Sequence, residues 1–344
     1  MSNDDAPARC LIGQDLGFQH DARPVLEAAN VRLVPGRAVV VVGPSGAGKT
    51  TLLWILAGLL KPTTGTIRLA EGTDPQRGRT RPVDYRRVSI GMVFQQGALW
   101  DHLTVAKHLE LVLAGKGLPR AARRRRIDRA LSQMRIAELR RRRPGQLSGG
   151  QQQRLAIARA LVVAPQWLLL DEPLAHLDGP MRAELFTLLR QSLTDAGAGV
   201  LMATHNAPEA MRLADEILVL LEGRVVQAGP PEEVYRHPVS LAAARTLGPA
   251  CELRGEATDG LLYREGTPVL QGLDASLSGS TQLILRPEDL EFHPDEAGAA
   301  VVRRCEFASG GHRLSVEIDG EEFAALHAQD LPAGTRGRLH LVRP

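Results

Sequence analysis

Of the 344 residues, 44% are apolar, enough for two to three domains with cores of their own. No apolar stretch approaches the roughly 20 residues needed to cross a bilayer, which excludes a channel built from this chain alone. The net charge is only +3, and the three scattered cysteines, Cys10, Cys251 and Cys305, exclude a paired disulfide frame or a zinc spacing and fit reduced thiols in the cytosol. Residues 1–7, MSNDDAP, are polar and acidic without an apolar core, which predicts no signal peptide.

Residues 38–42 form the first clear buried-strand candidate, and the run GPSGAGKTT that follows opens into a helical stretch over 51–60. This run, Gly43, Pro44, Ser45, Gly46, Ala47, Gly48, Lys49, Thr50 and Thr51, matches G-x-x-x-x-G-K-[ST] in the strand-to-helix context the motif requires. The small residues let the backbone curl so that successive N–H groups and a helix N-terminus point at phosphates. Lys49 then reaches the β- and γ-phosphates of a nucleoside triphosphate, and the Thr50 hydroxyl coordinates Mg²⁺. Only four lysines stand against 38 arginines, so a lysine at this position is not a matter of composition. A second strand is predicted over 88–94, with Gln95 just beyond it on the ligand edge of the sheet.

Between Arg120 and Arg143, 11 arginines face only Asp128 and Glu138, a local charge of +9 that leaves −6 for the remainder. Ile127, Leu131, Met134 and Ala137 or Glu138 fall near one face, which predicts an amphipathic helix with its arginines outward. Three uses are open to such a run: a solvated face, contact with anionic lipid heads, or nucleic acid. Arginine replaces lysine nearly everywhere in the chain, and this bias favours the solvated face.

LSGGQ, with Ser148, Gly149, Gly150 and Gln151, then leads into the helical pattern QQRLAIARAL. Ser148 caps the helix and the two glycines leave its first N–H groups bare, a second anion-binding terminus. One nucleotide does not account for two such termini unless each site is shared between two copies of the chain. The apolar strand WLLL ends in Asp171 and Glu172, at the carboxyl end where doubly wound sheets place their ligands. Asp171 is placed to hold Mg²⁺, directly or through water, and Glu172 to polarise the attacking water. Another core strand over 200–204 delivers His205 to the same edge. Paired strands over 216–221 and 224–228, a helix over 232–236 and the breakers at Pro230, Pro231 and Pro238 close this portion. From about Arg245 the texture changes to short alternating strands, at 261–263, 282–285, 300–303, 312–318 and 338–342.

With these motifs in this order, residues 11–238 resemble the ATP-binding subunit of an ATP-binding-cassette (ABC) transporter, of the importer type with separate membrane subunits. The resemblance implies that Gln95, in MVFQQ, senses Mg²⁺ and the membrane partner, that His205 contacts the γ-phosphate, and that Asp178, in LAHLD, faces the partner subunit. It makes Gln95, Glu172 and His205 the catalytic set, and Thr50, Gln95 and Asp171 the metal set. Phe18, 25 residues before Gly43, is the expected adenine-stacking ring, with His20 as the alternative. Three departures stand out: Ala175 where serine is common, Asn206 where aspartate is common, and Trp100-Asp101 where Phe-Pro is familiar. LRPEDLEF, from Leu285 on, resembles the signature of the oligonucleotide-binding-like (OB-like, TOBE) domain of importer ATPases for ferric iron, polyamines, sulfate, molybdate, phosphonates and sugars.

The fold expected is an α/β P-loop cassette over 1–238, with a helical subdomain at about 96–146, followed by a linker and a small all-β OB-like domain over 239–344. The implied function is ATP hydrolysis with Mg²⁺, powering uptake of a small polar solute or ion. The implied partners are a second copy of the chain, two transmembrane permease subunits and, indirectly, an extracytoplasmic solute-binding protein, with no nucleic acid. The implied location is peripheral, at the cytoplasmic face of the membrane. A soluble cassette acting on ribosomes or DNA would carry tandem cassettes or coiled-coil insertions, which this sequence lacks. An exporter subunit would lack the C-terminal domain.

Overall fold

Three short apolar runs, Ala38–Val42, Trp167–Asp171 and Gly199–Thr204, are buried along their whole length. Strands of a parallel sheet covered on both faces must be. In the computed structural model, residues 9–71, 80–175, 177–308 and 311–342 are described. The polar segment 1–7 and His176 of LAHLD lie outside them. The chain divides into two compact units, Met1–His237 and Pro238–Pro344.

The first unit runs β1 (Arg9–His20), β2 (Arg23–Leu33), β3 (Ala38–Val42), α1 (Lys49–Leu56), β4 (Thr64–Glu71), β5 (Thr80–Pro82) and β6 (Ile90–Val93). It continues through α2 (Val105–Leu113), α3 (Arg120–Gln133), α4 (Gly149–Leu161), β7 (Trp167–Asp171), α5 (Gly179–Ala196), β8 (Gly199–Thr204) and α6 (Ala207–Leu213). It ends with β9 (Glu216–Leu221), β10 (Arg224–Gly229) and α7 (Pro231–Arg236). Six strands make one sheet in the order β10-β9-β3-β8-β7-β6, all parallel except β10. Register aligns Val42 with Thr204 and Asp171 with Ala203, so the loops after β3, β6, β7 and β8 leave from one edge. A second, antiparallel sheet has the order β2-β1-β4-β5. The Glu27 N–H donates to the Gly223 carbonyl at 2.8 Å, joining β2 to the β9–β10 turn.

The helix expected over 51–60 is α1, which begins at Lys49 and stops at Leu56, because Gly58 turns left-handed (φ 72°). The strand expected over 88–94 is shorter, Ile90–Val93. The arginine-rich run is a helix only as far as Gln133. Arg135 takes a positive φ of 53°, so the apolar face passes to Ile136 and Leu139, which are buried, while Ala137 and Glu138 stay exposed. Up to Met134 the expected face holds, with Ile127, Leu131 and Met134 buried and Arg124, Arg125, Arg126 and Arg129 exposed.

The second unit comprises α8 (Leu241–Thr246), β11 (Cys251–Thr258), β12 (Leu261–Arg264), β13 (Thr267–Gln271), β14 (Gly279–Leu285), β15 (Leu290–Pro294), β16 (Ala300–Ala308), β17 (Gly311–Ile318), β18 (Glu321–His327) and β19 (Arg336–Leu341). Its strands order as β14-β11-β12-β13-β19-β15-β18-β17-β16, and β16 also pairs with β19. Strands β19, β15, β18, β17 and β16 therefore close on themselves, a five-stranded barrel that leaves no free edge among them. Phe292, Leu314, Val316, Phe323 and Leu339 fill its core. In LRPEDLEF, Pro287–Asp289 is a 3₁₀ turn, and buried Arg286 donates to the Ala244 carbonyl at 3.3 Å.

Candidate functional site: a phosphate loop and the carboxylate facing it

Glycine is sterically required at two points of the loop between β3 and α1. A Cβ at Gly43 would stand 2.2 Å from the Leu220 carbonyl oxygen, and one at Gly48, where φ is 102°, 2.7 Å from that of Val25. The first N–H groups of α1 have no acceptor within the helix, and no side chain caps them. Lys49 is buried, and its Nζ donates to the carbonyls of Gly43 (2.8 Å) and Pro44 (2.9 Å). Burial pushes its pKa down, against the pull of Glu172 and Asp171.

Asp171, the last residue of β7, is 3% exposed and accepts the Thr50 hydroxyl at 3.1 Å. Desolvation raises its pKa, with Glu172 adding to the rise and the Thr50 bond and Lys49 opposing it. Thr50 and Asp171 together offer hydroxyl and carboxylate oxygens, a hard set that fits Mg²⁺, and the Gln95 amide nitrogen donates to the neighbouring Glu172.

Glu172 has a left-handed backbone (φ 44°), its N–H bonded to the Ala203 carbonyl at 3.0 Å. That turn brings three expected partners around one carboxylate. Oε2 is 3.2 Å from His205 Nδ1 and accepts Gln95 Nε2 at 3.4 Å, while Oε1 is 3.9 Å from Lys49 Nζ. A non-glycine residue held at positive φ at the end of a buried strand stores backbone strain, and such strain concentrates at functional sites.

Ser148 caps α4, accepting the Gln151 N–H at 3.3 Å, and Gln151 Oε1 accepts the Ser148 N–H at 3.0 Å. A Cβ at Gly149 would meet nothing within 4 Å, whereas one at Gly150 would strike the Met181 side chain. The Met181 N–H in turn donates to Asp178 Oδ1 at 2.9 Å, so Ser148, Gly149, Gly150, Gln151 and Asp178 form one group. Among the described residues, no hydrogen bond or ion pair joins that group to the loop at Lys49. Phe18, half-buried on β1, packs against the apolar core that includes Leu26, Ala47 and Leu52. His20 is exposed, 3.6 Å from Asp21.

Two further sets of residues shape this edge without a signature of their own. Arg159, buried near the end of α4, donates to the carbonyls of Gly97 (2.8 Å) and Ala98 and lies 5.2 Å from the centre of the Trp100 ring. It thereby holds the loop that follows Gln95. An arginine inside the apolar repeat of LAIARAL is the signal that could have found it. Behind His205, the Thr204 hydroxyl donates to Glu209 Oε2 and accepts the Asn206 N–H, both at 3.0 Å. Asn206 caps α6 by accepting the Glu209 N–H at 3.1 Å, a task asparagine performs as well as aspartate. Burial raises the Glu209 pKa, and the Thr204 bond and Arg182 oppose the rise.

The profile of the ABC transporter family matches residues 26–175. The Fe(3+) ions import ATP-binding protein FbpC of Pseudomonas fluorescens is 36% identical over 343 residues, covering 93% of this chain and 92% of that protein. The sulfate/thiosulfate import ATP-binding protein CysA 2 of Rhizobium meliloti is 36% identical, covering 86% of this chain and 80% of its own. The sn-glycerol-3-phosphate import ATP-binding protein UgpC 2 of Agrobacterium fabrum is 34% identical, covering 93% and 87%. Among solved structures, CbiO1 of Clostridium perfringens, part of the ABC transporter complex CbiONQ, matches with a TM-score of 0.58 and 32% identity, over 66% of this chain and 90% of that one. The α/β cassette with its phosphate loop, and the extent and identity of these matches, lead to one conclusion: the chain belongs to the ATP-binding subunits of the ABC transporter family.

Proposed function

We propose that this chain hydrolyses ATP with Mg²⁺ to power uptake of a small polar solute or ion through separate membrane permease subunits. The observation that carries the reading is the Glu172 carboxylate, met by Lys49, Gln95 and His205 one residue beyond the Thr50–Asp171 pair. Bound Mg²⁺, which Thr50, Asp171 and Gln95 would hold, supplies charge neutralisation on the phosphates. Lys49 exchanges its two carbonyl acceptors for phosphate oxygens. Glu172 orients the attacking water and takes up its proton at a carboxylate oxygen, and His205 keeps that carboxylate aimed and touches the γ-phosphate. Phe18 stacks on the adenine.

Ser148 to Gln151 and Asp178 complete the site of a second copy, so that two nucleotides are closed between two chains. The groove of about 560 Å³ beside Gln95, walled by Tyr85, Phe94, Trp100, Val112 and Arg159, seats a segment of the permease. No helix among the described residues is long and apolar enough to cross a membrane, and we place the chain peripherally at its cytoplasmic face. Residues 1–238 then act as the motor, with 96–146 as its moving subdomain, and 239–344 as the accessory domain. The relatives named for ferric ions, sulfate and glycerol phosphate support import as the direction.

Steady-state ATPase and equilibrium nucleotide binding test the assignment. Glu172→Gln is expected to bind ATP as the parent does while turnover falls at least about a hundred-fold, the usual scale of a positioned acid–base group. Normal turnover in that variant would remove Glu172 from the role.

A further inference from the structure

On the barrel of the second unit, three side chains of different chemistry meet. One ligand atom each from Cys305 on β16, His312 on β17 and Asp330 in the segment before β19 lie within 4.8 Å of one another. Register pairs Cys305 with Leu314 and Phe307 with His312 across the β16–β17 hairpin, which carries the thiol and the imidazole on adjacent strands. A thiol–carboxylate hydrogen bond alone would account for two of the three groups. It does not account for His312, whose Nδ1 is buried with no hydrogen-bond partner among the described residues. A buried imidazole nitrogen left in that state costs stability unless a further partner binds there.

We propose that Cys305, His312 and Asp330 bind a divalent transition-metal ion of borderline softness, of the Zn²⁺ or Co²⁺ class. One thiolate, one imidazole and one carboxylate are the three ligand types such ions accept together. Around a tetrahedral ion these atoms stand about 3.4–3.8 Å apart, from bond lengths of roughly 2.0–2.3 Å. Closing from 4.8 Å or less asks for small side-chain rotations, with Asp330 exposed and Cys305 and His312 only partly buried. Mg²⁺ and Ca²⁺ are disfavoured by the sulfur. Binding exchanges the thiol proton for the metal, with no electron transfer, and leaves a fourth position for water or a ligand from elsewhere. The ion ties the β16–β17 hairpin to the segment entering β19, the strand at which the barrel closes. This inference is independent of the ATPase reading, since none of the three residues belongs to the first unit.

The full chain, reduced and free of nucleotide, is titrated with Co²⁺ and followed by absorption. We expect a thiolate-to-cobalt charge-transfer band saturating at one equivalent. It should persist in Cys10→Ser, Cys251→Ser and Asp171→Asn, the last removing the oxygen site in the cassette, and vanish in Cys305→Ser. Asp330→Asn changes an exposed side chain and keeps the fold; by Zn²⁺ competition it should bind at least about ten-fold more weakly. Absence of a thiolate band in the parent, its survival in Cys305→Ser, or unchanged Zn²⁺ affinity in both Asp330→Asn and His312→Gln would each overturn the site.

Discussion

Asp171 illustrates at residue scale how a binding site costs stability. Burial lifts its carboxyl above the ordinary value of 3.8, so the ionised form is disfavoured in the folded chain relative to the unfolded one. The sign follows: below 3.8 the group is protonated in both states and costs nothing, and the cost is complete once pH exceeds the raised folded value. Asp171→Asn keeps an acceptor for Thr50 and removes the charge. It should raise the melting temperature of the nucleotide-free protein near neutral pH, by an amount that shrinks toward pH 4, while Mg²⁺-dependent turnover is lost. A melting temperature lowered at every pH would show that the charge supports the fold through Lys49. Gly48→Ala tests the loop itself, since both φ and the Val25 carbonyl oppose a Cβ. A loss of about 1–3 kcal/mol in a denaturant melt, with weaker nucleotide binding, is expected.

At the scale of elements, α4 joins two ends of the machinery. Its N-terminus carries Ser148 to Gln151, and Arg159, near its C-terminus, holds the carbonyls of Gly97 and Ala98, two residues and more beyond Gln95. A guanidinium in that position makes charge-assisted bonds to two carbonyls that accept from no other donor among the described residues, so its removal leaves them uncompensated. Arg159→Ala is expected to destabilise the first unit by about 2–4 kcal/mol, the scale of losing two such bonds. ATPase activity should fall further than nucleotide affinity, because Gln95 loses its anchored loop while the phosphate loop is untouched. Equal losses in kcat and in binding would place Arg159 in the general framework instead. The break in the arginine-rich run belongs to this scale too. Arg135 leaves the helix by taking positive φ and forms an ion pair with Glu184 at 3.2 Å, and Glu184 also meets Arg154 of α4.

At the scale of the molecule, each unit has its own apolar core, one among the cassette's sheets and α1 and one among the strands of the second unit. A chain ending at His237 should therefore fold and bind nucleotide with an affinity within about three-fold of the parent, since separate cores behave as separate folding units. Isothermal titration with a non-hydrolysable nucleotide measures this, and light scattering measures dimer mass. Failure of a folded, truncated chain to bind nucleotide would mean that the second unit completes the site.

What local sequence determines, it determines because the constraint is local. A loop that must curl around phosphate needs its glycines and lysine contiguous, and a buried parallel strand needs an unbroken apolar run. The strand-to-helix loop at 43–51, the capped helix start at 148–151 and the buried strand at 167–171 are legible for that reason. The antiparallel sheet β2-β1-β4-β5 is not among the predicted strands, nor are β11, β13, β15 and β18; β18, EEFAALH, alternates correctly but has a composition that favours helix. Only tertiary structure decided which distant residues meet. The parallel register brings Gln95, Glu172 and His205 to one carboxylate across 110 residues, through the ends of β6, β7 and β8. Barrel closure gathers Cys305, His312 and Asp330, although the spacing of the three cysteines argues against a zinc motif, because strand pairing places ligands that no sequence interval encodes.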